Sequence, residues 1–93
     1  MLERVKLALR LTTHAYDDEL MDLIAAAEID LHIAGVEIPQ TMDAIVRRAI
    51  ITYCMLHFRG TAQEDYDRLK ASYDEQKAQL ATATGYTDWL VRT

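Results

Sequence analysis

Cys54 and His57 stand three residues apart, a spacing that on a helix turns both side chains to one side. A thiol beside an imidazole is the beginning of a nucleophile–base pair or half of a zinc site. The first needs a group to orient the imidazole and donors for an oxyanion, and the second needs two further ligands. Neither is evident: the chain has one cysteine, and His14 and His32 lie far from His57 with no HExxH pattern. Cys54 therefore reads as a buried apolar residue, and His57 as a residue at the edge of the core. Asp17, Asp18, Glu19 and Asp22 bring four carboxylates together, but no EF-hand loop spacing follows them. Carboxylates bunched where a helix begins complement its positive end. Isolated glycines at 35, 60 and 85 form no phosphate-binding loop. Arg47 and Arg48 are the only adjacent basic pair within a helical segment, and two charges release few counterions from nucleic acid. Tyr66 and Tyr73 have no interleaved basic residues to make a base-stacking platform. The residues thus supply no catalytic group, no cofactor-binding group and no metal site. They describe a binding or structural module rather than an enzyme.

Four amphipathic segments position these side chains. The first, about Leu2–Arg10, places Leu2, Val5 and Leu9 on one side. The second starts at Asp17, runs to Ala34 and stops at Gly35, which suits the left-handed position after a helix. Val36 then closes back over Leu31. The third, about Thr41–Arg59, carries Met42, Ile45, Val46, Ala49, Ile50, Tyr53, Leu56 and His57 on one broad face. Ile51, Cys54, Met55 and Phe58 cover the other side of its second half. A helix apolar nearly all round belongs at the centre of a structure. The fourth opens with the capping box Thr61-Ala62-Gln63-Glu64 and carries a narrow stripe of Ala62, Tyr66, Leu69, Tyr73, Gln76 and Leu80. Asp67–Lys70 and Asp74–Lys77 are candidate ion pairs on its outer surface. From Thr82 the helical signal weakens, although Tyr86, Trp89 and Leu90 keep the tail apolar.

These segments predict an all-α fold: a small bundle of four main helices, an apolar central third helix and a short C-terminal tail. A chain of 93 residues is expected to form one domain, with a core over about 2–81 and a tail over 82–93. Such a chain buries about 64% of its unfolded surface, enough for one small core. The composition, 51% apolar and 27% charged, excludes intrinsic disorder. One proline and three glycines argue against a turn-rich β-sandwich, and one cysteine excludes a disulfide framework. Ten basic and fifteen acidic residues give a net charge of −5, the wrong sign for a protein that coats nucleic acid. No apolar run is long enough for a membrane span and the first residues open no secretory signal, so a soluble intracellular protein is expected.

The order of motifs carries further information. Val5–Leu11, Tyr16–Leu20, Leu23–Ala27 and Ala34-Gly35-Val36 are followed by Ile45–Tyr53 and His57–Gly60, then by Tyr66, Leu69, Ser72-Tyr73 and Gln79-Leu80. Taken together, over about Leu2–Leu80, they resemble the small head–tail connector (adaptor) proteins of bacteriophages, often labelled DNA-packaging proteins in prophages. The resemblance implies a helical protomer without catalytic residues or cofactors. It implies a homo-oligomeric ring beneath the portal, matching the portal's symmetry as a dodecamer in the virion. Such a ring extends the DNA channel and docks the stopper or tail-completion protein, and DNA passes through without specific binding. The implied locations are the bacterial host cytoplasm during assembly and the virion neck afterwards, with no membrane partner. The alternative is a small helical regulatory or DNA-packaging accessory protein of a prophage, although no basic recognition helix is evident.

Three expectations locate contacts. Ile45, Val46, Ala49, Ile50 and Tyr53 are expected to pack against Leu20, Leu23, Ile24, Ala27 and Leu31. Ala25, Ala26, Ile29 and Ile33 form a second apolar face on the second helix, between Asp22 and Glu28. Its partner is the first helix or the tail of the same chain, or else a neighbouring subunit. Tyr86, Trp89 and Leu90 are candidates for docking on the portal or a neighbour.

Overall fold

The computed structural model describes residues 1–37, 44–58 and 63–82. They form four helices and, among the described residues, no strand: α1 Leu2–Leu9, α2 Asp17–Ile33, α3 Ala44–His57 and α4 Gln63–Thr82. The all-α expectation is met, and α3 is central because it packs against each of the other three helices. The starts expected at Thr41 and Thr61, the ends expected at Arg59 and Gly60, and the tail residues Tyr86, Trp89 and Leu90 lie outside the described residues.

Helix α1 is too short to hold itself together in water, so docking must stabilise it. It buries Val5 in the core and packs Leu2 and Leu9 against the core's edge. Its end is closed by Arg10, which adopts the left-handed conformation with φ 58°. The Arg10 and Leu11 amides then donate to the Leu7 and Lys6 carbonyls at 3.1 and 2.9 Å. Helix α2 ends in the same way, here with the expected glycine: Gly35 has φ 93°. Its amide donates to the His32 carbonyl, and that of Val36 to the Leu31 carbonyl, both at 3.0 Å. Val36 and Leu31 are both buried, which supplies the apolar contact that accompanies this ending.

The core joins Val5 of α1, Leu20, Ile24, Ala27 and Leu31 of α2, Val36, Val46, Ala49, Ile50 and Cys54 of α3, and Tyr73 and Leu80 of α4. Tyr53 and Leu23, expected inside, are partly buried at its margin. Ile45 differs from expectation: it is 58% exposed. It lies in the first turn of α3 at the edge of the buried stripe. The α4 residues that line a groove with it are Gln76 and Gln79. On α4, Leu69, Tyr73 and Leu80 are buried as the stripe predicted.

The left-handed cap at Arg10 gives a stability prediction. A side chain with a Cβ is disfavoured at such a position, whereas glycine is not. Arg10→Gly should therefore raise stability by about 0.5–1 kcal/mol, and Gly35→Ala should lower it by about 1 kcal/mol or more. Thermal melting should show opposite shifts of several degrees; shifts of the same sign would contradict the assigned cap conformations.

Candidate functional site

Two polar clusters fix the helices relative to one another. In the first, Lys6 of α1 is only 4% exposed. Its Nζ lies 3.0 Å from Asp17 Oδ1, an ion pair without hydrogen-bond alignment at that oxygen. His14 Nδ1 lies 3.0 Å from Asp17 Oδ2 and 3.2 Å from Lys6 Nζ. With its hydrogen on Nδ1, the imidazole donates to the carboxylate, and one nitrogen cannot also accept from Lys6 in that state. The Lys6 ammonium and then the His14 ring hold the Asp17 carboxyl below the usual carboxylate range. Asp17 thus does more than complement the start of α2: it ties α1 to α2.

The second cluster joins α2 to α4. The Tyr73 hydroxyl donates to Asp30 Oδ2 at 2.6 Å, and Lys77 Nζ donates to the same oxygen at 3.2 Å. Burial works against the charge on Asp30, but the Tyr73 hydroxyl and the Lys77 ammonium outweigh it and hold the carboxyl below its ordinary value. Burial first, and then the bond to Asp30, push the Tyr73 phenol far up, so it remains a donor at any ordinary pH. The Lys77 ammonium also sits 5.2 Å from the Tyr73 ring centroid, a cation–π contact. Asp74, expected to pair with Lys77, instead accepts from Lys70 at 2.9 Å, while Lys77 reaches Asp30.

This cluster lines an open groove of about 290 Å³ with Tyr53, His57, Tyr66 and Lys70. The His57 ring packs 4.3 Å from that of Tyr53 and is exposed to solvent, whereas Cys54 is fully buried. Burial pushes the Cys54 thiol up to about 12, which disfavours the thiolate that a nucleophile or metal ligand needs. Among the described residues, no three histidine, cysteine, aspartate or glutamate side chains converge on a point where a cation could sit. No helix described is long and apolar enough to cross a membrane.

The remaining candidate surface is the outer side of α2. Met21, Ile29 and Ile33 are 55%, 60% and 78% exposed, and Ala25 between them is also exposed. Spaced four residues apart, these side chains make one continuous ridge of the kind that packs into a neighbouring helix groove. Of the face expected from the sequence, Ala25, Ile29 and Ile33 lie on this ridge, and Ala26 is partly buried beside it. Met21 was not anticipated, although it stands one helical turn before Ala25. The first helix does not cover the face: Met1 and Leu2 reach only its beginning, beside Met21 and Ala25.

The described residues thus form a small all-helical bundle with polar ties between its helices and an apolar ridge on its outer side. The family model described as phage connector protein matches residues 1–87, and the chain belongs to that family of head–tail connectors. No curated protein and no solved structure matches it. The family is structural rather than catalytic, and its members assemble with other phage head and tail proteins.

The Asp30 cluster is testable by melting. Tyr73→Phe removes a charge-assisted bond and should cost roughly 1–3 kcal/mol. The sign of the pH dependence follows from the lowered carboxyls of Asp17 and Asp30. Their contribution is fully present above the unfolded value of about 4 and is lost as pH falls through the lower folded values. Melting temperature should fall below about pH 4, with a shallower fall in Asp30→Asn. An equally steep fall in that variant would contradict the role given to Asp30.

Proposed function

We propose that this protein is a head-completion adaptor. In this reading, copies of the chain form a ring beneath the portal that extends the DNA channel and presents a docking surface to the stopper or tail-completion protein. The ring matches the portal's symmetry, a dodecamer in the virion. The protein works in the bacterial host cytoplasm during assembly and resides in the virion neck afterwards. One observation carries the reading: a chain of the connector family leaves an apolar ridge, Met21–Ala25–Ile29–Ile33, exposed on the outside of α2. An isolated soluble protomer gains nothing from such a face, whereas a ring subunit needs two different surfaces to meet its two neighbours.

The charge supports the same role. A conduit must let duplex DNA slide, and a chain with a net charge of −5 holds phosphates weakly. Ala25, Ala26, Ile29 and Ile33 are assigned to the subunit interface. Tyr86, Trp89 and Leu90 are assigned to docking on the portal or a neighbour, on the strength of their apolar side chains.

Ile29→Glu tests the proposal. As a surface substitution it should leave melting within about 0.5 kcal/mol of wild type. It should also abolish self-association and co-purification with a co-expressed portal protein. Collapse of the fold would instead show that the face is covered within the protomer. Deleting Thr84–Thr93 should weaken portal binding and leave the cooperative melt intact.

A further inference from the structure

A ring built from one kind of subunit requires a second surface on each protomer, complementary to the first. The structure contains one candidate on the α3–α4 side of the bundle. Ile45, Arg48, Gln76 and Gln79 line an open groove of about 260 Å³. Ile45 presents an apolar side chain there, being 58% exposed. Arg48 meets no carboxylate among the described residues, and its side chain is exposed. Gln76 and Gln79 add side-chain amides whose N–H groups suit carboxylate acceptors.

The α2 ridge has the complementary chemistry. Its apolar row runs between Asp22 and Glu28, neither of which is ion-paired among the described residues. Apolar side chains flanked by carboxylates thus answer apolar Ile45 beside a guanidinium. Opposite charge sets register and excludes like-charged pairings, while the apolar centre supplies the contact area. The ridge and the groove lie on different helices, so joining them makes a head-to-tail contact.

We propose that the α2 ridge of one copy, Met21–Ala25–Ile29–Ile33 edged by Asp22 and Glu28, seats against the Ile45–Arg48–Gln76–Gln79 groove of the next copy. The proposal rests on the ring reading above and adds the surface that receives the ridge.

Charge reversal tests it without disturbing the core, because Asp22 and Arg48 are exposed and Glu28 is only partly buried at the surface. Three proteins are compared by light scattering after size exclusion over a concentration series, alone and with portal protein: wild type, Arg48→Glu, and Asp22→Arg/Glu28→Arg. Circular dichroism melts verify that each remains folded, and Arg48→Gln with Asp22→Asn/Glu28→Gln replace any variant that does not. Each reversed variant should need at least about tenfold more protein than wild type to associate, because like charges then face each other. An equal mixture of the two reversed variants should regain association, since reversed ridge meets reversed groove and native ridge meets native groove in alternation. For the neutral pair, weakened association that falls further with salt in wild type but not in the variants is the supporting result. Variants that associate like wild type, or a mixture no better than its components, would overturn the pairing while leaving the ring intact. Wild type that stays monomeric throughout would overturn the ring reading itself.

Discussion

The structure depends on the need to cover α3. That helix carries apolar side chains around most of its circumference, and no single neighbour can bury it. Short α1, one face of α2 and the narrow stripe of α4 must all be brought against it, and each does contact it. Meeting this demand determines what remains outside. Helix α2 has two apolar faces and α3 receives only one, so Met21, Ile29 and Ile33 remain exposed. At the start of α3, Ile45 lies in a groove with Gln76 and Gln79 of α4 and remains exposed as well.

Polar chemistry in this protein orients helices. Lys6, His14 and Asp17 tie α1 to the start of α2, and Tyr73, Lys77 and Asp30 tie α4 to its second half. Holding α2 at both ends keeps its outer ridge at a fixed angle to the α3–α4 side. A ring closes only if every subunit presents its two surfaces at the same angle, because a small error repeated at each contact yields an open filament. In the proposed ring, internal ion pairs of modest energy would therefore have a geometric role.

Much of this was legible in the sequence where local chemistry decides. Gly35 and Val36 announced the end of α2, because a left-handed residue followed by an apolar one has few other uses. The two faces of α2 followed from periodicity alone, and they pointed to Ala25, Ile29 and Ile33. Periodicity could not show which end of α3 would be covered, since that depends on the α4 residues opposite, and Ile45 was misplaced for this reason. The Asp30–Tyr73 bond joins residues 43 apart in the chain, beyond the reach of spacing rules. A signal existed even so: a carboxylate near the C-terminal end of a helix opposes the helix dipole and calls for a partner. Lys6 gave no such signal, because one lysine in a short amphipathic helix looks like any solvated one.

The central claim is that the outer ridge of α2 is bare in the protomer and covered in the assembled particle. Hydroxyl-radical footprinting of dilute and assembled protein, read residue by residue by mass spectrometry, addresses it most directly. The account predicts strong labelling of Met21, Ile29, Ile33 and Ile45 in the dilute protein, and joint protection of all four on assembly. Leu31 and Ile50 should be protected in both states. Assembly that leaves Ile29 and Ile33 as reactive as before would contradict the account.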